Sequence, residues 1–276
     1  MNVLITGANG QLGREFTGLL PNAVATDFKD LDITDKRAVK DFVKQNDIDT
    51  IINCAAYTAV DAAEQDFTAA KRINFLGPEN LAKTGCKLIH FSTDYVFDGR
   101  ANTPYKTTAW PIPLSVYGNT KLMGEKSVLR FSPESIVIRT AWLYSPYGKN
   151  FVKTMQKLGA EKKEINVVND QFGTPTYAAD LAAAVVQILP QINIFNSGVY
   201  HFTNLGQCSW YDFACEIMKM SGLKCKVNPV PSSQYPTLAK RPMYSVLDKE
   251  KIQQTFGIKI ADWQDALKRC IGQMER

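Results

Sequence analysis

An α/β fold, a doubly wound parallel sheet carrying a smaller C-terminal lobe, is predicted for this 276-residue chain by three features. Short, continuous, β-branched apolar runs alternate with amphipathic segments through the first half. A glycine-rich turn follows the first run directly, and the alternation loosens after Arg139 into a proline-marked second half. Such runs suit strands buried on both faces of a parallel sheet, and strand–helix–strand alternation means βαβ units. NVLIT (2–6), AVAT (23–26), TIINCA (50–55), KLIHFS (87–92) and SIVIR (135–139) supply the first strands. Helical patterns near 10–20, 35–46, 61–83 and 115–130 lie between them. Beyond Arg139, helical patterns near 150–160, 177–189, 209–220 and 263–274 are separated by loops carrying Pro175, Pro190, Pro229, Pro231 and Pro236. GVYHFTN (198–204) reads as one more strand. The expected division is a sheet domain over 1–147, to which 176–204 returns, and a lobe woven from 148–175 and 205–276.

Composition narrows the function classes. The chain is 45% hydrophobic and 21% charged, the balance of an ordinary globular protein. Its net charge of +5 is spread with no basic run of five, which gives a nucleic-acid partner no support and suits a small anionic ligand. Six cysteines without a CxxC pair, beside two histidines, argue against a structural zinc site or a disulfide framework. Cys54 reads as a small core residue, and His90 and His201, inside strand patterns, as hydrogen-bonded core or edge residues. The start MNVLITG lacks the charged-then-apolar pattern of a signal peptide. No apolar stretch reaches the roughly 18 residues a membrane span needs. No membrane partner and a cytoplasmic location are expected.

The first strand runs into TGANGQLG, where Gly7, Gly10 and Gly13 form G-x-x-G-x-x-G at the mouth of a helix. Glycines there allow a tight turn, close backbone approach to a pyrophosphate, and tight helix-on-strand packing. The helix start offers free N–H groups and a positive dipole end to phosphate. Asn9, Gln11 and Leu12 fill the turn, and Asp27 ends the next strand 20 residues after Gly7, where a carboxylate hydrogen-bonds an adenosine ribose hydroxyl. The sheet is thus of Rossmann type, and the cofactor is NADPH or NADH. Asp27 favours the latter, Lys29 softens that preference, and the choice stays open. Asp32 and Ile33 in LDITD, and Ala55, Ala56 and Tyr57 in NCAAYTAVD, border the same carboxyl edge and are further candidate cofactor contacts; the alternatives are a helix N-cap for LDITD and ordinary core packing for the alanines.

The fourth strand ends in STDYVFDG, which brings Thr93 to that edge. SVYGNTK follows, with Ser115 as helix cap and Tyr117 and Lys121 one turn apart on the same face. Lowering a phenol from a pKa of about 10 to near 7 requires about 4 kcal/mol. An ammonium about 5 Å away contributes about 3 kcal/mol at an effective dielectric of about 20. Tyr117 is therefore the expected proton donor to a substrate oxygen, Thr93 a hydrogen-bond donor to that oxygen, and Lys121 a partner of the nicotinamide ribose.

TGxxGxxG, the Thr after the fourth strand and Y-x-x-x-K together resemble the extended short-chain dehydrogenase/reductase superfamily. NCAAYTAVDAAE (53–64), STDYVFDG (92–99), VYGNTKLMGE (116–125), RTAWLY (139–144), NDQFGTPT (169–176) and RPMYSVLD (241–248) narrow that resemblance to the dTDP-4-dehydrorhamnose reductase family across nearly the whole chain. The resemblance implies NAD(P)H-dependent reduction of the C4 ketone of dTDP-4-dehydro-L-rhamnose to dTDP-L-rhamnose, with Thr93, Tyr117 and Lys121 as the catalytic set. It places Trp142 and Val60 against the sugar, makes the second-half lobe the substrate-binding one, and offers Asn150, Gln171 and Arg241 for the nucleotide diphosphate. Some members of the family dimerise around Mg²⁺ held by glutamates. Glu15 matches one such position but Ala179 stands at another, so no metal and a monomer are expected. Two alternatives stay open at this level. One is another nucleotide-sugar enzyme, an epimerase or a dehydratase, against which the Asp94–Tyr95 pair speaks; the other is a non-catalytic cofactor-binding subunit of the same fold.

Overall fold

Strand β1 (Val3–Thr6) shows how the sheet is built. Val3 and Ile5 enter one buried cluster and Leu4 another on the opposite face, as the two-residue period of a strand dictates. In the computed structural model, which describes residues 1–274, β1 is followed by α1 (Gln11–Leu19), β2 (Val24–Thr26), α2 (Lys36–Gln45) and β3 (Thr50–Asn53). Next come α3 (Val60–Gln65), α4 (Phe67–Lys71), a π-helical turn (Arg72–Leu76), α5 (Gly77–Ala82) and β4 (Lys87–Thr93). A 3-10 turn (Asp94–Val96), α6 (Val116–Phe131) and β5 (Ser135–Thr140) complete the first half. The second half contains β6 (Leu143–Tyr144), α7 (Phe151–Glu161), β7 (Glu164–Val168), β8 (Phe172–Gly173), β9 (Thr176–Tyr177) and α8 (Ala178–Ile188). It closes with β10 (Gly198–His201), β11 (Cys208–Ser209), α9 (Trp210–Met220), β12 (Lys226–Val230), α10 (Glu250–Phe256) and α11 (Trp263–Met274).

The main sheet has the order β10-β5-β4-β3-β1-β2, every pair parallel. All six apolar runs read from the sequence lie in it. From β1 the chain steps outward to β2 and returns to β3 on the other side, so the strand order reverses at β1. That reversal opens a crevice at the carboxyl ends of β1 and β3. Leu12 and Phe16 of α1, Leu181 and Val185 of α8, and Ile252 and Phe256 of α10 cover one face. Val39 and Val43 of α2, Leu81 of α5 and Val128 of α6 cover the other. A separate cluster gathers Met155, Ile165, Phe213, Ile217, Leu267 and Ile271 from α7, β7, α9 and α11. The stretch carrying Ile252 to Ile260 therefore packs on the main sheet rather than with that second cluster.

The helical pattern expected over 61–83 is broken. Asp66 ends α3 and caps α4 by accepting from the Ala69 amide at 2.9 Å, and the π turn follows. That turn buries Asn74, which bonds both the amide and the carbonyl of Tyr57. The parallel pair β7–β12 and the two-residue pairs β6–β9 and β8–β11 have no counterpart in the sequence reading, nor does α10. His201, expected to be hydrogen-bonded, is fully buried with neither ring nitrogen partnered among the described residues. Among those residues no helix is long and apolar enough to cross a membrane, and no group of three or more His, Cys, Asp or Glu is placed to hold a metal.

Helix α6 lies close against its neighbours because its residues are small where the approach is tight. A Cβ at Gly124 would stand 2.2 Å from the carbonyl oxygen of Asn74. Gly124→Ala must therefore displace α6 or the π turn, at an expected cost of about 1–3 kcal/mol. A urea titration should show a lower midpoint at an unchanged slope.

Candidate active site

The glycine turn is built for close approach. Gly7 has φ +65°, and a Cβ there would lie 2.7 Å from the Ala55 amide nitrogen. At Gly13 it would meet the Gly7 carbonyl oxygen at 2.2 Å. Gly10 caps α1 without any side-chain hydrogen bond, so the first N–H groups of the helix have no side-chain partner. An uncapped helix start on a glycine turn at the crevice fits the pyrophosphate of a dinucleotide.

Other cofactor candidates sit around it in different ways. Asp27 accepts from the Asn9 amide at 3.0 Å and from the Phe28 amide at 2.7 Å, so its carboxylate ties the end of β2 to the glycine turn. Asp27, Asn9, Arg14 and Tyr147 line a cavity of about 540 Å³. Lys29 is exposed beside it. Leu12 is buried in the core and can offer only its backbone. Gln11 accepts from Asn150 Nδ2 at 2.9 Å and from Ser145 Oγ at 3.3 Å. Asp32 accepts from the Thr34 amide at 2.8 Å in a local turn, and Ile33 is buried beside α5, where a Cβ at Gly77 would touch it. Ala55, Ala56 and Tyr57 follow β3 half-buried, with the Ala55 amide donating to Asn53 Oδ1 at 3.2 Å.

Ser115 caps α6 by accepting from the Gly118 amide at 3.1 Å. Tyr117 and Lys121 then face inward, and the Thr93 hydroxyl lies near enough to the Tyr117 phenol to act on its acidity. Thr93 Oγ1 also donates to Asp94 Oδ1 at 3.0 Å and accepts from the Tyr95 amide at 3.2 Å. Lys121 is 2% exposed, and its Nζ donates to the Phe91 carbonyl at 2.6 Å. Burial lowers Lys121 to about 8, against the pull of the Glu125 carboxylate. Burial raises the Tyr117 phenol; the Thr93 hydroxyl opposes this and the Asp94 carboxyl adds to it. The expectation of an ammonium-lowered phenol is corrected here: the ammonium is engaged by a backbone carbonyl, and desolvation dominates at the phenol.

Several supporting roles, those of Glu125, Arg139, Asn53 and the buried Asp94 carboxyl, were not read from the sequence. Glu125 continues the stripe of Tyr117 and Lys121, and is bound in bidentate fashion by Arg139 at 2.9 and 2.7 Å, with Ser92 Oγ donating to it as well. The available signals were an acid four residues after Lys121 and an arginine inside an apolar strand run. Asp94 is 2% exposed, and its Oδ2 has no partner among the described residues. Burial raises this carboxyl to about 6, with the Ser245 and Thr93 hydroxyls opposing. Asn53 donates to His90 Nδ1 at 3.0 Å and accepts from Thr6 Oγ1 at 2.7 Å. Burial, then the Lys121 ammonium, hold His90 well below its ordinary range and therefore neutral.

The second half of the chain supplies a wall. Trp142 has φ +47° and stacks on Trp210 with centroids 3.5 Å apart and planes at 10°. Trp210, Phe151, Met155 and Ile165 line an apolar cavity of about 320 Å³ that also receives Gln171 and Arg241. Arg241 pairs with Asp61 at 2.8 Å, one residue after Val60 at the start of α3. Asn150 lies elsewhere: its side chain caps α7 at the Lys153 amide, 3.0 Å, and reaches Gln11.

Four matches to known proteins bear on this arrangement. The family described as "RmlD substrate binding domain" matches residues 1–276. The chain is 44% identical over 284 residues to a dTDP-4-dehydrorhamnose reductase of Aggregatibacter actinomycetemcomitans, covering 96% of this chain and 97% of that one. A crystal structure of a dTDP-4-dehydrorhamnose reductase from Clostridium acetobutylicum superposes with a TM-score of 0.96 at 44% identity, covering 100% of both chains. A Bacillus anthracis dTDP-4-dehydrorhamnose reductase in complex with NADP gives a TM-score of 0.94 at 38% identity, covering 99% of this chain and 100% of that one.

The buried acid gives a test of the local electrostatics. Asp94 moves from an ordinary value of 3.8 to about 6 on folding, so its favourable contribution is present below 3.8 and is lost as the pH rises through about 6. Asp94→Asn removes that dependence. By calorimetry, the melting temperature of the variant relative to the unsubstituted protein should increase from pH 4 to pH 7.5; a difference independent of pH would contradict the burial described here.

Proposed function

The chain belongs to the dTDP-4-dehydrorhamnose reductase family of NAD(P)H-dependent oxidoreductases, and from that premise we propose that it reduces the C4 ketone of dTDP-4-dehydro-L-rhamnose to give dTDP-L-rhamnose. The observation that supports this reading is the placement of Thr93 at the end of β4, and of Tyr117 and Lys121 at the start of α6, beside a sheet edge that also presents an uncapped, glycine-lined helix start. Gly7, Gly10 and Gly13 hold the cofactor pyrophosphate, Asp27 faces the adenosine ribose, and Ala55, Ala56 and Tyr57 border the sugar-phosphate. The bound nicotinamide supplies the hydride.

The residues of the chain manage the oxygen. Tyr117 gives its proton to the C4 oxygen, whose carbonyl π pair becomes the new O–H bond, and Thr93 donates a hydrogen bond that orients the same oxygen. The phenol, raised by burial, keeps its proton until that oxygen becomes basic. Lys121 holds positive charge one turn below, where it stabilises the phenolate left after transfer. Trp142 and Val60 flank the sugar, while Gln171 and Arg241 meet the nucleotide. Gln11 and Asn150 act through the junction they form between α1 and α7. The segments 148–175 and 205–276 form the substrate-binding lobe, with the part around α10 serving to attach it to the sheet.

Loss of NADPH or NADH absorbance with dTDP-4-dehydro-L-rhamnose tests the reading, and no oxidation with either cofactor would defeat it. Tyr117→Phe should lower kcat by at least about 100-fold, the scale of one positioned acid, while cofactor affinity is retained. Turnover that survives the substitution would remove Tyr117 as proton donor. Because Lys121 is lowered to about 8, kcat/KM should fall as the pH rises above that value, and a rate flat to pH 9.5 would contradict the need for its charge.

A further inference from the structure

Helix α3 touches both ends of the proposed site. Asp61 Oδ2 accepts from Arg241 Nη2 at 2.8 Å, and Asp61 Oδ1 accepts from the Ala239 amide at 3.0 Å. Glu64, three residues on and on the same face, accepts from the Val116 amide at 2.8 Å. Val116 opens α6 and immediately precedes Tyr117. This short helix thus joins the turn that starts the Tyr117 helix to a loop 180 residues away in the chain. Arg241 lines the 320 Å³ cavity, its Nη1 reaches the Tyr95 hydroxyl at 3.4 Å, and its buried Nε has no partner among the described residues. The Tyr95 ring in turn stands edge-on to Tyr117, with centroids 5.6 Å apart.

We propose that Asp61 is a positioning residue: it fixes the Arg241 guanidinium on the cavity wall for the nucleotide diphosphate, at a span from Tyr117 set by α3. The inference rests on the reading above that the ligand is a dTDP-sugar. A guanidinium pairs with a phosphate in fixed, planar geometry, so orienting it in advance favours binding. Asp61 also opposes the ligand through its own negative charge, and the two effects predict opposite outcomes. If geometry prevails, removing Asp61 weakens diphosphate binding; if repulsion prevails, removal tightens it.

Calorimetric titration with dTDP and with thymidine, which lacks the phosphates, separates these cases. Asp61→Ala should weaken dTDP about tenfold, the scale of one charge-assisted contact, and leave thymidine unchanged. Asp61→Asn, which keeps an acceptor without the charge, should retain part of the affinity. In an Arg241→Gln background Asp61→Ala should add nothing, since both act through one guanidinium. NADPH affinity, unchanged in every variant, reports that the sheet domain is folded. Equal losses for dTDP and thymidine, additive losses in the double variant, or tighter dTDP binding would overturn the inference alone. Absence of dTDP binding by the unsubstituted protein would overturn the nucleotide-sugar reading and this inference with it.

Discussion

The buried ion pair between Glu125 and Arg139 fixes the register on which the site depends. Both side chains are almost fully enclosed, 2% and 4% exposed, and two parallel hydrogen bonds join them. Such pairs rarely stabilise a fold beyond what a well-packed apolar pair would give, yet losing one partner costs about 3–5 kcal/mol because a charge is left stranded. The contribution here is to geometry. Glu125 sits one turn beyond Lys121 and two beyond Tyr117, so anchoring it to Arg139 on β5 and Ser92 on β4 sets the rotation of the whole stripe. With that rotation fixed, Tyr117 faces the side of Thr93 and the Lys121 ammonium lies under the sheet edge at Phe91.

A second polar layer holds the strand ends in place. Thr6 on β1, Asn53 on β3 and His90 on β4 form a side-chain chain across three adjacent strands, and Asn53 also accepts from the Ala55 amide beside the glycine turn. Polar groups buried this deeply cost stability unless paired, and pairing makes them specific. His90 is neutral for a related reason: desolvation and the nearby Lys121 ammonium both disfavour a second cation. Lys121 itself is held charged up to about 8 with the help of Glu125, so the same carboxylate that fixes the helix rotation supports the ammonium.

The parts of this architecture that a sequence can carry are those set by local chemistry. The six main strands are legible because strands covered on both faces are continuous apolar runs. The glycine turn and the Ser115 cap are legible because few other residues satisfy those backbone geometries. The placement of Thr93 at a strand end, and of Tyr117 and Lys121 one turn apart at a helix start, follows from strand and helix patterns. Burial and long-range pairing are not local. Nothing in the spacing of Tyr117 and Lys121 says that desolvation governs the phenol, or that Phe91 offers a carbonyl to the ammonium. The pairing of Asp61 with Arg241 joins residues 180 apart, and the buried Asn74 of the π turn bonds Tyr57 from 17 residues away. Pro229 within β12 reads as a strand breaker, yet a two-stranded pair tolerates it because only one side is paired.

Backbone strain in the second half is concentrated where the proposed substrate contact lies. Trp142 and Asp47 alone among the described non-glycine residues have positive φ, and for a bulky side chain such a conformation costs on the order of 1–3 kcal/mol. The surroundings make the alternative worse. The carbonyl of Trp142 accepts from the Thr176 amide at 3.2 Å, and its indole lies flat on Trp210 and close over Gly173, where a Cβ would stand 2.7 Å away. An aromatic pair adds about 0.5–1.5 kcal/mol beyond its buried area, enough to offset much of the strain. Trp210 opens α9 behind the Ser209–Asp212 capping box, so it is set by secondary structure rather than by a loop. Trp210 also forms part of the wall of the Arg241 cavity. The conformation of Trp142 is therefore held by the same helix that shapes the proposed nucleotide pocket, which ties both proposed substrate contacts to one element.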